Sequence, residues 1–164
     1  INTGITRRVH DFKIPDISLI REDGASVSAR DLLAAKDSPV VVSFLFTSCR
    51  ATCPLSIGVF RELQQKALKE RQAIRLVSIS IDPEGDTLDV LKAFRKDKGA
   101  GEDWHFYTGR SEDLVQLEKV MNVYRGDKMN HLNAFMIKRD EKSPWIWITG
   151  GFIPSSALIR ELGF

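Results

Sequence analysis

Thiols, imidazoles, long apolar runs and a surplus of either charge are all scarce in this chain. Its 164 residues include two cysteines and three histidines. Two thiols are too few for an iron–sulfur cluster, which draws on about four. No run of about 18 apolar residues occurs, so the sequence holds no membrane-spanning helix. Basic and acidic residues nearly balance, 24 against 22, for a net charge of +2. The basic stripe that a phosphate backbone demands is missing, and nucleic acid is not expected as a partner. The densest basic stretch, "KAFRKDKGAGEDW" at 92–104, reads as the solvated end of a helix. No internal repeat or low-complexity segment is visible, and no signal peptide. A start at Ile1 rather than Met reads as a processed or trimmed form, which leaves room for a removed leader or membrane anchor.

What is present is enough for a core. Apolar residues make up 43% of the chain, which fits one domain that folds without a disulfide. Residues 1–11, "INTGITRRVHD", lack periodicity and read as an N-terminal arm, with a single domain over 12–164. "FKIPDISLI" and "REDGASVS" predict a hairpin turning at Asp23-Gly24. "SARDLLAAKD" predicts a short helix capped by Ser28 and Asp31. "PVVVSFLF" at 39–46 is the continuous β-branched run of a strand buried on both faces. A helix is expected from Pro54, with Leu55, Val59, Leu63 and Ala67 as its buried stripe. "AIRLVSISID" predicts a second core strand, and "DTLDVLKAFRKDKG" a helix ending near Gly99. "WHFYTG" reads as a short strand or loop. "SEDLVQLEKVMNVY" reads as a helix turning Leu114, Leu117, Val120, Met121 and Tyr124 inward. "LNAFMIKRD" and "PWIWIT" read as paired strands, and "PSSALIREL" as a closing helix. An early parallel pair followed by a late antiparallel hairpin predicts an α/β, thioredoxin-like fold: a central mixed sheet flanked by helices, with an N-terminal β-hairpin extension.

Both cysteines stand in "FLFTSCRATCPLS", Cys49 past the end of the first core strand and Cys53 at a helix start. Ligands of open α/β sheets gather at the carboxyl ends of strands. A helix N-terminus favours a thiolate, and Arg50 adds a positive charge between the two. On one helical turn their Cα atoms are roughly 6 Å apart, near the upper end of the ~4.4–6.8 Å a disulfide tolerates. Such a short loop stabilises a fold little, so a structural staple is a weak reading. A redox pair and two legs of a metal site both stay open. Two thiolates suit soft metals, and Cu(I) accepts two sulfurs and one further donor.

The further donor is sought among the histidines. His10 lies in the expected arm, and His105 sits among aromatic residues in "DWHFYTG". His131 opens a predicted strand, and in a thioredoxin-like fold the loop before that strand faces the cysteine loop. Thioredoxin-type enzymes carry a proline there. This chain has none between Pro83 and Pro144 and offers Asn130-His131 instead.

At this point the residues resemble the Sco/SenC family, copper-binding thioredoxin-fold proteins of cytochrome c oxidase assembly. "SFLFTSCRATCPLS" is similar to the family's strand and Cys-x-x-x-Cys-Pro loop. "VSISIDPEGDTLDVLKAF" resembles its strand, Asp-Pro turn and Asp-Thr helix start, and "FYTG" its Phe-Thr-Gly segment. His131 falls at the spacing of the family's distal histidine. The resemblance runs roughly from 12 to 140. It implies one copper, as Cu(I) or Cu(II), bound by Cys49, Cys53 and His131. It also implies delivery of copper to, or thiol reduction of, the copper-bearing subunit of a terminal oxidase or another copper or thiol client. It implies an N-terminal anchor on the periplasmic side of a bacterial inner membrane, or the intermembrane space of a mitochondrion, and a monomer. The chain departs from the family at Arg50, where proline is common, and at Asn130-His131-Leu132, where Asp-His-Ser is common. The alternative reading is a metal-independent thiol–disulfide oxidoreductase acting on a partner's cysteines.

Three further residues or pairs have two readings each, and a fourth is set aside. Asp82 is either an acid near the cysteine loop or a turn residue before Pro83. Met129 is either a thioether ligand or a loop residue. Trp145 and Trp147 are either core or an aromatic docking patch. Thr47 stands one residue too close to Cys49 for the Thr-x-x-Cys of thiol peroxidases.

Overall fold

The computed structural model describes residues 4–49 and 53–164. These residues form one eight-stranded sheet in the order β1-β8-β7-β4-β5-β6-β2-β3. The strands are β1 (Thr6–His10), β2 (Ser18–Arg21), β3 (Ser26–Ser28), β4 (Val40–Leu45), β5 (Arg75–Ser80), β6 (Trp104–Thr108), β7 (Ala134–Lys138) and β8 (Trp145–Thr149). The helices are α1 (Ala29–Leu32), α2 (Cys53–Glu70), α3 (Leu88–Asp97), α4 (Ser111–Val120) and α5 (Ser155–Leu162). A 3-10 turn, Lys128–Asn130, precedes β7.

β4 is central because all six of its residues are buried, so neither face can meet water. It runs parallel to β5 and antiparallel to β7. Its alternation divides the core in two. Val41 and Leu45 pack toward α2, α3 and α5, whereas Val40, Val42 and Phe44 pack toward α1 and α4. This is the mixed sheet, covered on both faces, that the strand and helix order predicts. The hairpin turns at Asp23-Gly24, where Gly24 takes φ +91°, and it extends the sheet by pairing β2 with β6. Ser28 caps α1 by accepting from the Asp31 amide.

The expectation for residues 1–11 requires correction. Among the described residues of that stretch, Thr6–His10 is no arm: it pairs antiparallel with all of β8, as an edge strand. Four of those five side chains are exposed, so the strand rests on its backbone bonds and shows no apolar alternation. A second correction falls on α2. Val59, Leu63 and Ala67 are buried, but Leu55 is 47% exposed. The buried stripe starts instead at Cys53 and continues through Ile57 and Phe60. Leu55 lies roughly 200° around the helix from Cys53, on the opposite face. In α4, Leu114 and Leu117 are buried together with Glu118, while Val120, and Tyr124 beyond the helix end, both expected inward, are only partly covered. Trp145 and Trp147 are 2% and 5% exposed, which makes them core rather than a docking patch.

Candidate metal centre at the end of the fourth strand

Beyond Leu45 the chain leaves the sheet through Phe46, Thr47 and Ser48. It closes a turn in which the Cys49 amide donates to the Phe46 carbonyl at 3.0 Å. Cys49 is half-buried. Cys53 is the first residue of α2 and is 4% exposed within the α2-side core. Arg50 lies in 50–52, outside the described residues, and so does the charge expected from it. Neither cysteine is in a disulfide, and the two thiols hydrogen-bond to each other. Burial pushes the Cys53 thiol up to about 12, and the hydrogen bond and charge of Cys49 add to the rise. The expectation of thiolate character at both cysteines therefore fails for Cys53. Desolvation there outweighs the helix N-terminus.

A buried carboxylate holds the approach to this pair. Asp86, 2% exposed, accepts from the Thr47 amide at 3.1 Å and the Thr47 hydroxyl at 2.5 Å. The oxygen that takes the Thr47 amide, Oδ2, also accepts from the Ser80 hydroxyl at 2.7 Å. Asp86 thus ties the cysteine loop to the turn between β5 and α3. The sequence reading passed over it in favour of Asp82, and its signal is the Asp-Thr step at the start of α3. Asp82 points elsewhere. It accepts from Lys128 Nζ at 2.8 Å, and this bond holds its carboxyl below the usual range. The Lys128 ammonium also lies 5.3 Å from the centroid of the Phe46 ring.

His131 follows the 3-10 turn, whose start is capped by Asp127 accepting from the Met129 amide at 2.9 Å. The imidazole packs edge-on to Phe46, 6.4 Å between centroids. Burial lowers its pKa, and a hydrogen bond to the backbone of Phe44 opposes that only in part. It is therefore neutral at pH 7. The interaction with the Phe44 backbone ties the ring to β4. His131 thus leans on β4, the strand that delivers Cys49. Among the described residues, no three His, Cys, Asp or Glu side chains stand close enough together to hold one metal ion. The structure joins the two cysteines and packs His131 against Phe46, at the end of the strand that leads to them. The other histidines are engaged elsewhere: His10 stacks on Phe12 at the sheet edge, and His105 meets Glu22 at 2.6 Å. Met129 is 75% exposed.

Asn133 was also missed. It is buried at the entry to β7, and its side chain bridges Ser56 of α2 and Gly150 after β8. A polar residue beside a strand start gives no sign in sequence of a contact 77 positions away.

A family model described as SCO1/SenC matches residues 7–143. The SCO1 protein homolog of Bacillus subtilis is 30% identical over 107 residues, covering 65% of this chain and 54% of that protein. The chain spans about half the length of the first curated relatives it matches, 54% and 52%. BsSco, described as a member of the Sco family of cytochrome c oxidase assembly proteins with a disulfide switch, aligns with a TM-score of 0.77 at 21% identity. That alignment covers 95% of this chain and 94% of the other. Copper-bound ScoI of Arabidopsis thaliana aligns with a TM-score of 0.73 at 20% identity, over 92% and 96% of the two chains. At these identities the structural likeness is one of fold.

Proposed function

The chain belongs to the SCO1/SenC family, and from that premise we propose that it is a copper-binding assembly protein for a terminal oxidase. Copper is its cargo, taken by the Cys49 and Cys53 sulfurs and the neutral imidazole of His131. The observation that carries this reading is the pairing of two thiols in contact with a buried imidazole packed on Phe46, the residue whose carbonyl holds the Cys49 amide. That donor set suits a soft cation. Each thiol must lose its proton when the metal binds, and Cys53 holds its proton tightly, so loading releases protons and depends on pH. A disulfide between the cysteines would remove both sulfurs, so loading requires the reduced protein. The client is the copper-bearing subunit of the oxidase. The setting is the periplasmic face of a bacterial membrane or the mitochondrial intermembrane space, with the protein monomeric and tethered through a segment preceding this one.

The test is Cu(I) affinity by chelator competition on the reduced protein and on His131→Ala. A loss of about 10-fold or more is expected on removing one of three ligands. Equal affinity would remove His131 from the ligand set, and failure of the unmodified protein to bind copper would remove the reading. Parallel titration with zinc, read by thiolate-to-metal charge transfer, separates copper preference from general thiol binding.

The thiol–thiol contact favours a second reading as a thiol–disulfide reductase. The more exposed Cys49, as thiolate, would attack a partner disulfide. Cys53 would then resolve the mixed disulfide, leaving Cys49–Cys53 oxidised and the partner carrying two thiols. Here His131→Ala should leave turnover intact, and either cysteine substitution should abolish it.

A further inference from the structure

The three proposed ligands come from two separate stretches of chain, so something between the stretches must set their separation. Asn133 is the side chain that spans them. It is 8% exposed, two residues past His131. Its Nδ2 donates to the Gly150 carbonyl at 2.9 Å. A carbonyl only accepts, which fixes the amide's orientation and turns Oδ1 toward α2. There Oδ1 accepts from the Ser56 hydroxyl at 2.8 Å. Ser56 is three residues past Cys53, one turn further into the helix that Cys53 begins. The main chain is held as well: the Asn133 carbonyl accepts from the Thr149 hydroxyl at 2.8 Å. One buried amide therefore bolts the segment bearing His131 to the helix bearing Cys53, with the end of β8 as a third anchor. Neither neighbour of the histidine supplies a carboxylate that could do this work, since Asn130 and Leu132 flank it.

We infer that Asn133 is a positioning residue of the metal centre, holding His131 at its working distance from Cys53 through the bond to Ser56. The inference rests on the copper reading above. Loss of the bond loosens the imidazole from the metal and leaves the two sulfurs in place.

Two hydroxyls that donate to the same residue provide the test. Ser56→Ala removes the bond that crosses to α2, and Thr149→Val removes a bond of similar length that does not. Both should lower thermal stability slightly. Ser56→Ala should weaken Cu(I) binding by about 10-fold, in the range for lost support of a metal ligand, while Thr149→Val stays within about twofold of the parent protein. In a His131→Ala background Ser56→Ala should cost nothing further, because its effect passes through the imidazole. Equal effects of the two variants, or an undiminished effect of Ser56→Ala without His131, would overturn the inference. If the parent protein and His131→Ala bind copper equally, His131 is not a ligand, and that part of the copper reading fails first. The inference is then decided in the metal-free protein, where Ser56→Ala must speed amide hydrogen exchange at 130–133 and Thr149→Val must not.

Discussion

Cys49 and Cys53 touch, yet burial makes them chemically unequal. Cys53 lines the apolar core under α2, and its thiol is pushed up to about 12. At pH 7 it is a thiol, and iodoacetamide, which consumes thiolates, should leave it unmodified in the folded protein. Cys49 is half-buried and is the sulfur a reagent meets first. Mass spectrometry of peptides after brief alkylation should show label at Cys49 alone, with both labelled once the protein is unfolded in urea. Equal labelling in the folded state would mean that the helix N-terminus outweighs burial after all. The same asymmetry explains why the sequence reading was half right at this site. Spacing, strand end and helix start are local signals, and they located the dithiol. The desolvation of Cys53 depends on where the α2 stripe begins, and that was settled by Leu55 facing outward in place of Cys53.

At the scale of elements, α4 carries a group that the proposed function does not use. Glu118 is 8% exposed, and burial pushes its carboxyl up to about 7. It lines a cavity of about 270 Å³ beneath the loop that leads to His131. Up to about pH 4.5 the carboxyl is protonated in folded and unfolded chains alike. Between there and about 7 the unfolded chain loses the proton and the folded chain keeps it, so the folded state binds more protons and stability falls as pH rises. Above pH 7 the folded protein buries a charge. Glu118→Gln should abolish this slope. The variant should melt about 2–4 °C above the parent at pH 8, equivalent to about 1 kcal/mol for a chain of this size, and match it near pH 4.5. A constant gap across that range would assign the effect to packing rather than ionisation. The elements themselves were legible wherever apolar spacing and caps agreed, as at Ser28 of α1. Buried polar residues were not. Asp86, Glu118 and Asn133 look like surface residues in a one-dimensional pattern, and only the packing of distant segments shows otherwise.

At the scale of the whole molecule, the sheet arranges the site in the middle and leaves its margins to backbone pairing. The central strands were legible because burial on both faces writes a continuous apolar run. β1 was not, because an edge strand with exposed side chains writes nothing. Its contribution is to cover β8, whose sequence WIWIT would otherwise present an unpaired apolar edge. It also brings His10 against the Trp147 ring, 6.1 Å between centroids. Deleting residues 1–10 should therefore red-shift tryptophan emission as Trp147 gains water, lower the melting temperature, and promote aggregation that grows with concentration. Copper affinity of the monomeric fraction should stay near that of the intact chain. The proposed ligands hang on β4, α2 and the entry to β7, and β7 keeps its pairing with both β4 and β8. A large loss of affinity in soluble monomer would mean that the edge strand bears on the metal centre, and that the margin and the middle of this sheet are not independent.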